Sequence, residues 1–468
     1  MPVSPCRVNL LQDAQEFYSF LLACQEKSQR KGCPLIVSLS QEIDPVDPLA
    51  ILQAIASPNE LSFYWENRRN FDAIAAIGSI QKLTLNSPNR FDISQDFIQK
   101  CVSKTIQIGQ TESPWAGLHF FCSFTFFSSL QYLDSPFPTA TIFLPRIQVA
   151  KHKNQCVLVT NINIDSETNL ENILDNCQSQ WQKIQFIKDK IKSKSPNSLK
   201  KLQNSPTQFK SVVNQALNAI QLNKLSKIVL AHALDVTSEN NFNVIQSIDN
   251  LRQRHPDCYI FSTGNGKGNF FLGASPERLI SIQNSQLITD ALAGSAPRGK
   301  TASEDANLAK KLLNSEKEKR EHQAVSEFIL QRLKELDLNP TRSPLQLLQL
   351  SNIQHLWTPI QATLPSHLHP LDIVSKLHPT PAVAGVPTAI ACEKIQSFEN
   401  FDRALYAAPL GWVDSQGNGE FIVGIRSAMI SGNQAKLYAG AGIVAGSNPD
   451  KELAEIQLKL QTMLKALA

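Results

Sequence analysis

The feature that most constrains this chain is an irregular succession of short apolar runs bounded by turn formers, with helices interspersed in no fixed rhythm. In the first two hundred residues these runs are PLIVSLS, LSFYWE, AIAAIG, LHFFCSFTFF, ATIFLPRIQVA and CVLVTNINI. Segments of this length and composition read as strands, and the short spacing between several of them makes antiparallel neighbours. The second half continues with SKIVLAHALDV, CYIFST, NFFLGASPERLISI and QLITDALAG, then with strands in APLGWVDSQGNGEFIVGIRSAMI and QAKLYAGAGIVA. Helices are expected over 207–222, over SEDANLAKKLLN, over SEKEKREHQAVSEFILQRLKEL, near 390–396 and over 449–466. Ser315 and Glu318 have the spacing of a capping box, and Pro449 suits a first helical turn. Without a regular βαβ alternation, the pattern predicts an α+β protein rather than a doubly wound sheet.

Composition narrows the class. Hydrophobic residues make up 42% of the 468, enough for a large core, and the formal charge of +4 is too small to imply a nucleic-acid surface. The nine cysteines are scattered and no CxxC occurs, so neither a zinc ribbon nor a disulfide framework is expected. The start, MPVSPCRVNLLQDAQEF, lacks the basic-then-apolar form of a signal peptide, and the apolar stretch at WAGLHFFCSFTFFSS is too short to span a membrane. A soluble cytoplasmic protein is expected. The Lys- and Ser-rich stretch around 184–208 reads as a connector, dividing the chain into 1–200 and 201–468.

Several residues could carry chemistry. Glu318 and Glu321 lie three apart on one expected helix, and Glu452 and Glu455 on another, so each pair shares a helical face. Two such faces turned together would make a hard-oxygen site suited to Mg²⁺. Each pair alone is also an ordinary solvated face, and Glu455 with Lys459 is a common i,i+4 ion pair. Lys227 stands before an apolar strand, where it could be a desolvated base or a snorkelling strand end. Glu277, after a Ser-Pro turn, could be a general acid or a turn carboxylate partnered by Arg278. Gly440 and Gly442 match neither a P-loop nor a dinucleotide fingerprint, but they would let backbone amides approach an anion. GNGKGNFF reads as a hairpin turn. Arg426 is expected on an apolar strand with a buried carboxylate partner, either a protein Glu or a substrate. Finally HPTPAVAGVP (378–387) is stiff and bare, as the wall of a close-fitting site would be.

Taken in order, SKIVLA, FLGASPERL, ALAGSAPRG, KREH, HPTPAVAGVP, GIRSA and AGAGIVAGSNPDKELAEIQLK resemble the chorismate-utilising enzymes, the family of isochorismate, salicylate, anthranilate and aminodeoxychorismate synthases. The resemblance is specific over about 205–465 and looser before it, where FYWENRRNFDAIAAIG is similar to a strand region of isochorismate synthases. It implies one large integrated α+β unit of two mainly antiparallel sheets packed together with helices outside, so that the boundary near 200 is no domain boundary. It implies chorismate as substrate and Mg²⁺ as cofactor, with Glu321 and Glu455 as metal ligands and Glu318 and Glu452 behind them. Gly294 and Ser295 would lie by the ring carboxylate. Arg426, Tyr406, Gly440 and Gly442 would hold the enolpyruvyl carboxylate, and His355 and Lys459 would line the pocket.

The ammonia-using branches resemble this sequence except for a glutamine where Lys227 stands. A lysine there implies water as nucleophile, with Lys227 as base and Glu277 as acid on the departing C4 hydroxyl, giving isochorismate. Lyase-competent relatives tend to have threonine at the position of Ala382. With Ala382 and Val383 in the wall, the chain is expected to stop at isochorismate rather than release pyruvate as a salicylate synthase. A non-catalytic chorismate binder would not need Lys227 paired with Glu277. His232, where relatives commonly have Arg, departs from the pattern. Supply of menaquinone or phylloquinone synthesis, a monomeric state and no glutaminase subunit complete the expectations.

Overall fold

The computed structural model describes residues 14–130, 132, 134–187, 191, 198–201, 206–350 and 353–468. The strand-like runs gather into two sheets, one of 13 strands and one of 10. Among the described residues every strand pairing is antiparallel except that of Leu35–Ile43 with Thr105–Gly109. This is the expected α+β architecture of two mainly antiparallel sheets with flanking helices. Each sheet takes strands from both sides of residue 200, and one cluster of buried apolar residues runs from Ile36 to Leu467. The supposed connector has its residues 188–190, 192–197 and 202–205 outside the described residues.

The runs are nearly continuous in apolar residues because both faces of these strands are covered. Leu61–Asn67 and Asp72–Ile77 form a hairpin in the larger sheet, and all but the first residue of each is buried. Phe63 from this hairpin meets Phe121 of the smaller sheet with ring centroids 5.0 Å apart, and Phe121 meets Phe143 at 5.7 Å. Fully burying such a side chain contributes roughly 1.5–3 kcal/mol, so Phe63 against Phe121 helps to hold the two sheets together. GNGKGNFF makes the turn of the hairpin joining Tyr259–Asn265 to Asn269–Ser275.

Two helices carry the paired glutamates. Glu316–Lys334 packs on the strand Gln286–Pro297, and Pro449–Leu467 packs on the strand Gln434–Val444. Asn448 caps the second by accepting from the amides of Asp450 and Lys451, with Pro449 at the first position. Ser315 caps the first by accepting from the Glu318 amide. The reciprocal half of the expected capping box is not made, because the Glu318 carboxylate faces a cleft between the sheets instead.

Two chain segments pass between the sheets next to each other, and they position the chemistry. The Asn269–Ser275 strand of the larger sheet leads through Pro276 and Glu277 into Arg278–Gln283 of the smaller. Gly424–Arg426 makes the return journey, from Gly419–Val423 to Ser427–Ser431. The crossings are tied by three hydrogen bonds: Val423 N–H to Glu277 O at 3.1 Å, Ala274 N–H to Arg426 O at 3.1 Å, and Ser275 Oγ–H to Val423 O at 2.6 Å. A side chain at Gly273 would meet Arg426 O at 2.6 Å, so only glycine permits the approach.

Candidate active site

At these crossings Glu277 and Arg426 face the cleft from adjoining backbone. Glu277 is 6% exposed, and burial pushes its carboxyl up to about 7 despite the nearby Lys227, Lys459 and Arg426. A carboxyl that keeps its proton near neutrality can donate it. Arg278 is no partner to it, since that guanidinium pairs with Asp290 at 3.0 Å.

Arg426 corrects an expectation. It lies in the break between two strands rather than on one, with a φ of 50° that non-glycine residues seldom adopt. Its side chain reaches His355 Nε2 at 3.2 Å and Cys258 Sγ at 3.9 Å. No carboxylate lies within ion-pair distance among the described residues. A buried cation without an anion is costly, and here burial lowers the affinity of the guanidinium for its proton. Among the described residues Arg426 itself lacks an anionic partner, which a ligand can bring.

The hydrogen bonds around His355 have a definite polarity. The histidine is buried, and burial together with Arg426 and Lys459 keeps it neutral. A guanidinium only donates, so Nε2 accepts from Arg426 and the proton sits on Nδ1. Nδ1 then donates to Ser295 Oγ at 2.8 Å, which leaves the serine O–H free to donate into the cleft. Ser295 reaches that position through a bulge at Gly294, whose φ is 78°. A Cβ on Gly294 would stand 3.2 Å from Glu318 Oε2.

Across the cleft, Glu318 and Glu321 on one helix meet Glu452 and Glu455 on the other. Burial raises Glu318 and Glu452; Glu321 and Glu455 push Glu318 further up, and Glu455 does the same to Glu452. The first carboxylate pair is answered by Lys227, whose Nζ donates to Glu321 Oε1 at 2.7 Å from just behind the cleft surface. The second is answered by Lys459, which donates to Glu455 at 2.7 Å and to Gly440 O at 2.8 Å. So the i,i+4 ion pair exists, and it faces the cleft as well. Hard oxygens in mutual repulsion are the donor set a divalent cation relieves. Among the described residues no group of three His, Cys, Asp or Glu forms a metal centre by itself. A cation bridging the helices would therefore need further oxygens from ligand or water.

Close approach explains the glycines of the facing strand. A Cβ on Gly440 would stand 2.7 Å from the Tyr406 hydroxyl, and one on Gly442 would stand 3.2 Å from Lys227 Cε. Ala382 and Val383 complete the lining, and HPTPAVAGVP is a wall of the cleft, with cis peptide bonds before Pro379 and Pro387. The structure thus gathers Glu277, Gly294, Ser295, Glu318, Glu321 and His355 with Ala382, Val383, Tyr406 and Arg426 around one cavity. Gly440, Gly442, Glu452, Glu455 and Lys459 close it, with Lys227 behind Glu321. His232 stands apart, its ring 5.7 Å from that of Phe209. Sequence reasoning missed Tyr438, which stacks on Tyr406 with centroids 5.2 Å apart, and the buried pair of Glu399 and Arg403. The four-residue spacing of that pair was the available signal.

The family model for chorismate binding enzyme matches residues 20–468. The chain is 32% identical over 447 residues to the salicylate biosynthesis isochorismate synthase of Pseudomonas aeruginosa, covering 94% of this chain and 92% of that protein. It is 30% identical to the isochorismate synthase MenF of Haemophilus influenzae, over 92% of each chain. The solved structure of MenF, the menaquinone-specific isochorismate synthase of Escherichia coli, superposes with a TM-score of 0.78 at 28% identity, over 96% of this chain and 100% of that one.

Proposed function

Because this chain belongs to the chorismate binding enzyme family, we propose that it is an isochorismate synthase, converting chorismate to isochorismate. The observation that carries this reading is the buried Arg426 without a protein carboxylate among the described residues, beside Glu277, whose carboxyl burial raises to about 7. Chorismate brings two carboxylates, one for Arg426 and one for the Ser295 hydroxyl and the Gly294 bulge.

With the substrate so held, water adds at C2 as Lys227 takes one of its protons. The ring double bonds shift, and the C4 hydroxyl departs with the proton of Glu277. One proton is taken and one given, so the product is an isomer of the substrate. Lys227 can take this proton only as the neutral amine with its lone pair free, and in that form it can still donate an N–H to Glu321, with which it is paired at 2.7 Å. Glu321 and Glu455 would hold Mg²⁺, with Glu318 and Glu452 beside them, and the ion would supply Lewis-acid polarisation of the ring carboxylate. The wall offers no hydroxyl at Ala382 and Val383, which favours arrest at isochorismate over pyruvate elimination. The reading extends to quinone-precursor supply on the full-length likeness to the E. coli MenF structure; disruption of the gene should then deplete naphthoquinones in its host.

The test is product analysis on purified protein given chorismate with and without Mg²⁺. Metal-dependent isochorismate without pyruvate supports the reading. Salicylate with equimolar pyruvate would remove the wall as the determinant, and no turnover would leave a chorismate binder.

A further inference from the structure

The strand Lys227–Ser238 is paired along one side with Gln434–Val444, but on its other side, among the described residues, it is paired only near its two ends, with Gly385–Val386 at Lys227–Ile228 and with Leu199–Lys201 at Val236–Ser238. Ser226 N–H and Val229 N–H reach Val386 O and Ala384 O, both at 2.8 Å, and the partner backbone then turns away. The next two groups in line are Val229 O and Ala231 N–H. Both are satisfied by side chains: Arg403 donates to Val229 O at 2.8 Å, and Glu399 Oε1 accepts from Ala231 N–H at 2.7 Å. The ion pair stands in for the missing strand.

The same pair holds the wall. Arg403 also donates to Val383 O at 3.1 Å and makes two bonds to Glu399, at 2.6 and 2.8 Å. Its guanidinium carbon lies 4.4 Å from the Phe126 ring centroid and 5.8 Å from that of Tyr406. The Tyr406 amide donates to Arg403 O at 2.7 Å. Val229, Val383 and Tyr406 all line the cleft, whereas Arg403 is 0% exposed and touches none of its space. A buried ion pair is weak support for stability, since apolar residues of similar volume commonly serve as well. Its geometric content is what apolar residues cannot supply.

We propose that Arg403 and Glu399 are positioning residues that fix the Ala382–Val383 wall and Tyr406 against the lysine strand, and so set where the substrate lies between Lys227 and Glu277. This rests on the cleft being the chorismate site. The experiment compares wild type, Arg403→Lys and the double variant Glu399→Leu with Arg403→Met, in Tm, kcat, KM and the ratio of pyruvate to isochorismate. The double variant leaves no charge buried alone but strands Val229 O, Val383 O and Ala231 N–H, so its Tm should fall, though by less than that of Arg403→Met alone. Its kcat should fall by about 10²-fold with KM within about threefold, because a displacement near 1 Å costs that much in rate without removing the carboxylate contacts. Arg403→Lys keeps the charge but not the fork and should recover Tm more than kcat. Unchanged kcat in a folded double variant overturns the proposal, as does full recovery of kcat by lysine or loss of folding in both variants. Wild-type turnover, measured alongside, judges the functional reading separately.

Discussion

The seam behind the wall and the cleft in front of it each bury an arginine and a glutamate close together, and they treat them in opposite ways. In the seam Arg403 and Glu399 satisfy each other and three backbone groups, at 1% and 3% side-chain exposure. In the cleft Arg426 has a histidine and a thiol for partners, and Glu277 carries a raised carboxyl with no ion pair among the described residues. Charges satisfied by the protein hold a shape. Charges the protein leaves short identify what is to be bound and where a proton is kept.

The sharpest way to break this comparison is to substitute each arginine by methionine. Arg403→Met leaves Glu399 buried and unpaired and should destabilise the fold by about 3–5 kcal/mol. Arg426→Met removes an uncompensated cation, so denaturant unfolding should find stability unchanged or raised. Its kcat/KM for chorismate should fall about 10²-fold, since charged hydrogen bonds contribute roughly 1.5–3 kcal/mol. Equal destabilisation by the two substitutions would mean that Arg426 has a structural anion after all.

Glu277→Gln tests the other half of the cleft. Loss of the acid should lower kcat by about 10²- to 10³-fold with KM little changed. In the wild type kcat should fall as pH rises through about 7, where Glu277 gives up its proton. Stability follows the same group. Its folded value of about 7 lies above the ordinary 4.5, so its contribution is full below about 4.5 and is lost as pH rises through 7. Glu420, buried against Tyr259 and also raised to about 7, acts in the same direction. Glu277→Gln should therefore be more stable than wild type at pH 8 and no more stable at pH 4. A variant that loses activity without that crossover would show that Glu277 is not held protonated by burial.

The cleft was more legible in the sequence than the seam. The glutamate pairs could be read because three-residue spacing on a helix is local geometry, and the strands because apolar runs between turn formers are local too. Gly440 and Gly442 showed that something approaches closely, though not that it is Tyr406 and Lys227. What could not be read depends on partners remote in sequence. Glu399 and Arg403 look like one more surface ion pair until Val229 O, 174 residues away, is placed beside them. Arg426 looks like a strand residue because the switch between sheets at Gly424 leaves no mark in an apolar run. Glu318 satisfied a capping rule on paper, and the cleft claims its carboxylate instead.

The smallest expected effect concerns the wall the seam supports. Ala382 is half-buried at the cleft, next to a fully packed Val383, so a larger side chain there projects into the cavity rather than into the core. Ala382→Thr adds one hydroxyl and one methyl. Overpacking would cost at most about 1–3 kcal/mol, and less where open space takes up the added volume. Isochorismate formation should persist, because Lys227, Glu277 and Arg426 keep their places. The hydroxyl supplies the group the apolar wall lacks, and it should let a minor part of the bound isochorismate go on to salicylate and pyruvate. A coupled pyruvate assay beside chromatography of isochorismate reads this directly. If pyruvate stays at the wild-type level while the variant folds and turns over, the choice between the two products is made elsewhere in the cleft, and the seam positions the substrate without selecting its fate.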